Sequence, residues 1–210
     1  MRPNLLLPFA VLAAIACGQT TQPRVATPAP EPAPAHILTI GIPHQVADFG
    51  FVMRHDFDDP SDGVQLRYSG PDSVDADVFV YPGPDFAQRC APACAEKQLD
   101  EEIAVFRSSF PELIKLGYVK SIAVVREEPL TPPSGAPWRL GRHLQLDVTR
   151  SQRPLHSEYY LFYVPGFRVK VRSTFDDSAP HRRSVDGFVS QIVPALVHAD
   201  TLGAHTTHTT

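Results

Sequence analysis

Long apolar runs are scarce in this 210-residue sequence, and the longest lies near its N-terminus. No later stretch stays apolar for the roughly 18 residues that a membrane-spanning helix requires. The sequence also lacks a Gly-rich phosphate loop, a G-x-S-x-G nucleophile elbow and an H-E-x-x-H zinc motif. We therefore expect no enzyme of these classes, and we predict no catalytic residue, no metal site and no cofactor.

Cysteine is scarce as well, with three occurrences at Cys17, Cys90 and Cys94. Cys90 and Cys94 flank a short Ala-Pro-Ala segment, a spacing that fits neither the C-x-x-C redox motif nor a paired zinc knuckle. In an oxidising compartment we expect these two cysteines to form a disulfide that ties the entry of the following helix. Because an exported chain with an odd number of cysteines has one left over, Cys17 needs another role.

Neither sign of charge is in large excess, since 19 Lys and Arg residues stand against 23 Asp and Glu residues. A general nucleic-acid binder carries a strongly basic surface, so we predict no nucleic-acid partner. The charged fraction of 20% and the hydrophobic fraction of 43% are typical of a soluble globular domain. Without its N-terminal segments the chain suits one domain of about 150 residues.

The N-terminus has the pattern of an export signal. Arg2 precedes an apolar run over residues 5–16 that ends in small residues and is too short to span a membrane. Residues 14–16 (Ala-Ile-Ala) fit the rule for ordinary signal peptidase, and together with Cys17 they resemble a bacterial lipobox, with Ala14 at the usual Leu position. Both alternatives place the cut after Ala16.

The resemblance to bacterial lipoproteins implies that Cys17 carries a diacylglycerol and an amide-linked acyl chain such as palmitate. Several acyl chains hold a protein durably in a bilayer, at about 0.8 kcal/mol per buried methylene. Gly18 differs from the Asp that marks inner-membrane retention, which implies an outer-membrane protein facing the periplasm or the cell surface. The cysteine count favours this alternative, because acylation of Cys17 leaves an even pair.

The composition divides the chain into four segments. Residues 1–16 are the signal peptide, and residues 17–36 are the lipidated cysteine with a Pro-rich linker that extends about 3 Å per residue as polyproline. Residues 37–198 form the folded domain. Residues 199–210 are a Thr- and His-rich tail that we expect to be disordered.

Hydrophobic periodicity predicts an α+β sandwich in the order β-β-β-α-β-β-β-β-α. Three strands precede a helix over residues 93–110 that kinks at Pro111 and stops at Gly117; four strands and a final helix capped by Ser184 follow. We expect an antiparallel β-sheet of about six or seven strands with two main helices packed on it.

Residues 157–175 form the predicted central hairpin of the sheet. Its second strand alternates an apolar row with a row that carries Arg168, Lys170 and Arg172, so the two rows face opposite sides. A two-residue loop at 165–166 places Val164 opposite Phe167. A longer loop or a bulge would shift this register, because proline does not fit the first position of the favoured hairpin turns.

The element order resembles that of the PsbP/DcrB-like sandwich domains over residues 47–197. The similarity consists of the long helix after the third strand and of the closing segment YYLFYVPGFRVKVRSTF before the last helix. It implies a non-enzymatic envelope or accessory protein, and it transfers no functional residues.

The candidate binding face combines Arg168, Lys170 and Arg172 with Tyr159 and Tyr163. Fixed cations beside aromatic rings attract anionic partners such as a lipid headgroup, a glycan or an acidic protein surface. The alternative is a structural role, in which the aliphatic stems of these cations cover a helix.

Two further groups receive structural interpretations. The acidic run over residues 56–62 does not match the ligand spacing of a calcium loop and predicts a turn before Gly63. We interpret His55, His143 and His156 as surface or core residues.

Together these observations predict a membrane-tethered, non-enzymatic binding or assembly module, anchored in a lipid bilayer through Cys17. The alternative function is a carrier of an apolar ligand, or an unrecognised hydrolase, that uses a cleft between sheet and helix.

Overall fold

A computed structural model describes residues 41–82, 92–164, 166–176 and 178–206 of the chain. Eight strands make up its sheet: β1 (Gln45–Val46), β2 (Phe49–Asp56), β3 (Val64–Ser69), β4 (Asp75–Pro82), β5 (Ser121–Leu130), β6 (Leu140–Arg150), β7 (Arg153–Val164) and β8 (Phe167–Phe175). Its helices are α1 (Pro92–Ser108), α2 (Phe110–Lys115) and α3 (Ala179–Thr206).

The fold is α+β with one antiparallel sheet, as the sequence predicts. The predicted count of six or seven strands is too low, because the sheet has eight. The additional strand is β1, which has two residues and is too short for a period-two pattern to be recognised in the sequence.

The strand order is β1-β2-β3-β4-β8-β7-β6-β5, so the hairpin of β7 and β8 lies in the interior of the sheet. Val164 pairs with Phe167, which confirms the register of the two-residue loop. Gly166 has a φ of 89°, a left-handed conformation that glycine adopts without steric cost.

One face of the sheet, the core face, packs against α3. Phe188 of α3 lies against Phe49 and Tyr68, with ring centroids 4.6 and 5.2 Å away. Burial of each such aromatic side chain contributes about 2 kcal/mol. The apolar stripe of α3 is fully buried and consists of Val185, Phe188, Ile192 and Leu196.

The opposite face, the α1 face, packs against α1 beside the centre of the sheet. Phe106 of α1 stacks on Tyr159 of β7 with ring centroids 4.1 Å apart, and Leu99 and Ile103 of α1 are buried. The strands supply buried side chains to the same layer: Leu144, Leu146, Tyr159 and Leu161.

The predicted end of α2 agrees with the structure, and the predicted start of α3 does not. Pro111 lies at the start of α2, just after the break from α1. At the end of α2, Gly117 has a φ of 76°, and the Tyr118 N–H donates to Leu113 O at 3.0 Å, as in a Schellman motif. The predicted cap Ser184 is wrong: α3 begins earlier, and Ser178 Oγ accepts the His181 N–H at 3.3 Å.

The two edges of the sheet are short or irregular. At one edge β1 has two residues. At the other edge the register of β5 shifts between Val124 and Arg126, and Pro129 lies near the end of the strand. Both features limit the backbone that is left unpaired at the edges.

The acidic run between β2 and β3 forms the predicted turn. Asp59 Oδ1 accepts the Ser61 N–H at 2.8 Å and caps a short 3₁₀ turn, Pro60–Asp62. Gly63 follows with a φ of 74°, and a Cβ at this position would lie 2.0 Å from the carbonyl oxygen of Val80. Glycine is therefore required where β3 starts beside β4.

Several predicted features lie outside the described residues. They include the signal peptide, the lipidation site Cys17, the Pro-rich linker and Cys90, while Cys94 lies in the part of α1 whose side chains are not described. The lipidation and the disulfide therefore stay predictions. The helical backbone of α3 reaches Thr206, into the tail for which we expect disorder. Within the described ranges, no helix is both long and apolar enough to cross a membrane.

Candidate functional site

The structure brings the five residues of the candidate binding face onto the α1 face of the central strands. Arg168, Lys170 and Arg172 follow one another on alternate positions of β8. In β7, Tyr163 pairs with Arg168 and Tyr159 with Arg172. The sequence-predicted proximity of these residues is therefore present in the fold. We call the three cations the basic row.

Helix α1 covers the tyrosine side of this face. Tyr159 and Tyr163 are 2% and 3% exposed, so neither ring presents a surface to a large partner. Glu102 of α1 reaches over the strands, where its carboxylate accepts hydrogen bonds from Arg168 Nη1 at 2.8 Å and from the Tyr163 hydroxyl at 3.3 Å. The Tyr81 hydroxyl also donates to this carboxylate.

The environment under α1 keeps the phenols protonated. Burial, followed by the negative charge of Glu102, raises the pKa of Tyr163 to about 12. Burial and Glu102 also raise the pKa of Tyr81 far above its ordinary value. Both hydroxyls therefore act as hydrogen-bond donors to Glu102, which ties α1 to the sheet.

The arginine at the other end of the row is paired with an acid of the neighbouring strand. Arg172 Nη2 lies 3.4 Å from Asp77 of β4, and the same carboxylate accepts from Arg67 Nε at 2.9 Å. Both arginines are partly shielded from water. This ion cluster contributes to the pairing of β3, β4 and β8.

Lys170, in the middle of the row, has a different environment. Its Nζ lies 4.3 Å from the centroid of the Phe79 ring and 5.6 Å from that of Tyr81. It forms no ion pair with any carboxylate in the described part of the chain. Burial, together with the positive charge of Arg172, lowers the pKa of Lys170 to about 8.

A second polar cluster lies on the core face, where β5, β6 and β7 meet. Glu158 is 3% exposed and lies between two imidazoles. His156 Nε2 is 2.7 Å from Glu158 Oε1, and His143 Nε2 contacts Glu158 Oε2. The two histidines are 3% and 7% exposed. We call these three residues the His–Glu cluster.

Both ring nitrogens of His143 face carboxylates. Nδ1 lies 3.1 Å from Glu128 Oε1, while Nε2 contacts Glu158. An imidazole that donates to two carboxylates carries both protons and a positive charge. Burial alone lowers the pKa of His143, but hydrogen bonds and charges from Glu158 and Glu128 outweigh it, and the pKa is raised.

Further contacts close the His–Glu cluster toward the core. The His143 ring stacks on Tyr160 with centroids 4.1 Å apart, and the Tyr160 hydroxyl donates to Asp186 of α3 at 2.9 Å. Both ring nitrogens and one ring face of His143 are therefore engaged within the protein. Among the residues that the structure describes, no group of three or more His, Cys, Asp and Glu side chains is arranged to hold a metal ion.

The sequence interpretation missed the acids of both clusters. Glu102 lies three residues after Leu99 and four before Phe106, so helical spacing places it beside the apolar stripe of α1. Glu158 lies two residues before Tyr160 in β7, so both side chains belong to the core-facing row of that strand. A charged residue on a buried row was the available indication in each case.

His55, the third histidine interpreted from the sequence, lies outside the His–Glu cluster. His55 is exposed on β2, with its ring edge-on to Phe57 at 5.0 Å, so the interpretation as a surface residue fits it. His143 and His156 converge in the core with acidic partners.

Comparison of the chain with protein-family models and with curated proteins finds no match. The resemblance to PsbP/DcrB-like domains therefore stays a prediction, and the functional argument depends on the residues of this chain.

Proposed function

We propose that the chain is a lipid-anchored module of the bacterial envelope that binds or assembles with an anionic partner and carries out no reaction on it. The anchor is the acylated Cys17, and the proline-rich residues 20–35 hold the folded domain away from the bilayer. Delivery is to the outer membrane, with the domain facing the periplasm or the cell surface.

The observation that carries the binding part of the proposal is the state of the basic row. Its two arginines have acidic partners at 2.8 and 3.4 Å, whereas Lys170 has none among the described residues. All three cations are half-buried at the border of α1. Glu102 and Asp62 act on Lys170 from a distance, but neither forms an ion pair with it, and a half-buried cation without a directly contacting carboxylate favours an anionic partner.

The contrast with the His–Glu cluster supports a binding role over a catalytic one. A general base needs a nitrogen or oxygen within hydrogen-bond reach of a substrate. Both nitrogens of His143 are engaged by carboxylates instead. The cluster serves the packing of β5, β6 and β7.

The anchoring part is tested on the mature protein purified from bacterial envelopes. We expect intact-mass spectrometry to find a chain that begins at Cys17 and carries a diacylglycerol and one further acyl group. The matched control is Cys17→Ser, which remains exported but unacylated and leaves the membrane fraction. Wild-type protein of unmodified mass in the soluble fraction would refute the anchor.

The binding part is tested by cross-linking in intact envelopes. We expect Lys170→Glu to lose the cross-linked partner and Lys120→Glu, a charge reversal at an exposed position, to retain it. Equal capture by both variants would remove the basic row from the interface. An apolar small molecule that co-purifies in native mass spectrometry would instead support the carrier alternative.

A further inference from the structure

Two hydrogen-bond donors of the basic row lack acceptors in the described part of the chain. Arg168 Nε is fully shielded from water and has no partner, although Nη1 and Nη2 of the same guanidinium donate to Glu102 and to Pro82 O. Lys170 Nζ is the second donor, and unlike Arg168 Nε it is not among the atoms that are fully shielded from water. A donor without an acceptor leaves a favourable hydrogen bond unformed, and Lys170 Nζ is the donor of the two that a ligand can reach.

The chain contains an informative counterpart. Arg142 Nε is also shielded and without a hydrogen bond, but the carboxylate of Glu127 lies 3.7 Å from it. Arg168 Nε has no second acid of this kind among the described residues. Arg168 Nε therefore lacks the additional nearby carboxylate that Arg142 Nε has.

The two donors share one aromatic floor. The Arg168 guanidinium carbon lies 4.4 Å above the Tyr81 ring centroid, and Lys170 Nζ lies 5.6 Å from the same centroid. The ring faces attract the cations but accept no conventional hydrogen bond. Arg168 and Lys170 therefore lie along the same ring from alternate positions of β8, and Lys170 Nζ still has no hydrogen-bond acceptor among the described residues.

We propose that Lys170 Nζ, flanked by the guanidinium groups of Arg168 and Arg172, forms a site for one oxyanion, a carboxylate or a phosphate group, carried by the partner of the module. This inference rests on the proposed function and assigns the chemistry of its contact. The half-buried position limits the ligand to a single small group, in contrast to an extended acidic surface. Tyr81 and Phe79 form the floor of the site.

The site couples anion binding to proton uptake. Burial and the charges of Arg172 and Arg168 outweigh the opposing charges of Glu102 and Asp62 and lower the pKa of Lys170 to about 8. The free amine is therefore partly deprotonated in mildly alkaline solution. A bound anion favours the ammonium form and raises the pKa of Lys170, so the complex holds more protons than the free protein. Affinity for an anion that stays ionised therefore falls by about ten-fold between about pH 7 and about pH 9.

The experiment uses the full-length protein in detergent with its four lysines labelled as carbon-13 dimethylamines, Lys97, Lys115, Lys120 and Lys170. Acetate, inorganic phosphate and glycerol 3-phosphate are titrated against a chloride control at constant ionic strength. We expect a saturable shift of the Lys170 signal alone, with its pKa rising toward 10.5. Acetate stays ionised across this range and reports the pH dependence.

The arms of the titration separate the sources of the anion. Saturation by acetate indicates a carboxylate partner, saturation by inorganic phosphate a free phosphate, and saturation by glycerol 3-phosphate alone a lipid-like phosphate ester. Equal, non-saturating shifts of all four lysines would overturn the site. That failure is distinct from failure of the anchor, which is measured on Cys17.

Variants complete the test. Lys170→Met breaks no ion pair of the described residues and should bind the preferred anion at least about ten-fold more weakly, with a melting temperature that is not lowered. Lys170→Arg keeps the charge and should bind without the loss between pH 7 and pH 9, because the guanidinium stays protonated. Lys120→Met is the matched control and should behave as wild type, and retained affinity in Lys170→Met would overturn the proposal.

Discussion

His143 on the core face and Lys170 on the α1 face are both cationic side chains of interior strands, and their surroundings are opposite. His143 has a carboxylate at each ring nitrogen, whereas Lys170 has aromatic rings and two neighbouring arginines. The pKa of His143 is raised and that of Lys170 is lowered. A fully paired buried ion serves the fold, and an unpaired one points to a ligand.

Of the substitutions considered, replacement of His143 is expected to have the largest effect on the free energy of unfolding. His143→Leu leaves Glu158 buried with a single imidazole partner, so we expect the free energy of unfolding to fall by about 3–5 kcal/mol. Urea unfolding followed by circular dichroism measures this loss.

The matched control for this variant is His181→Leu. His181 lies 3.8 Å from Asp72, whose side chain is 75% exposed, and its Nδ1 lies 3.0 Å from Asp176 O. An ion pair with one partner this open to water contributes less than about 1 kcal/mol. If the two substitutions cost the same, the cluster at Glu158 is not a major source of stability and the comparison fails.

Arg168→Met should have an intermediate effect. It leaves Glu102 with two phenolic donors but no cation, while its own apolar side chain still covers Tyr81. We expect a loss of about 2 kcal/mol, measured by urea unfolding, because the carboxylate beneath α1 is only 18% exposed. Unchanged stability would show that Glu102 does not hold α1 to the sheet.

Lys170→Met should have a smaller effect of opposite sign. The substitution removes a half-buried charge that lacks an acidic partner, while the lost cation–π contacts offset part of the gain. We expect the free energy of unfolding to rise by about 1 kcal/mol. A clear loss in thermal unfolding would indicate that Lys170 stabilises the fold, and the contrast with His143 would disappear.

The smallest expected effect is a dependence on pH through His143. Its folded pKa lies above the unfolded value of 6.5, so its stabilisation is complete below that value and is lost as pH rises through the folded pKa. Glu128→Gln removes one of the two carboxylates and should move this loss to lower pH. Unfolding curves across neutral pH for both proteins test the direction, and coincident profiles would contradict it.

Local patterns predicted much of the sheet because strand alternation and turn chemistry are local properties. The rows of β7 and β8 and the opposition of Val164 and Phe167 follow from period-two spacing and a two-residue loop. The end of α2 was predicted from Gly117. Its positive φ lets the N–H groups of residues 117 and 118 donate to the last carbonyls of the helix.

The partners of the basic row were not predictable in the same way. Asp77 reaches Arg172 because β4 lies next to β8, a neighbour relation between strands about 90 residues apart. Glu102 reaches Arg168 because α1 crosses the tyrosine side of the α1 face. Strand order and helix placement are global properties, so the sequence indicated a charged row but not which of its cations are neutralised.

Under the anchoring that we propose, the irregular edge strand β5 limits how neighbouring copies can associate on the membrane. Anchored molecules diffuse in two dimensions and meet often, and a long flat strand with free amides would let neighbouring copies join their sheets into a polymer. The offset after Val124 and the missing amide hydrogen of Pro129 interrupt that ladder. Such a surface would let many copies share a bilayer and remain individually available to their partner.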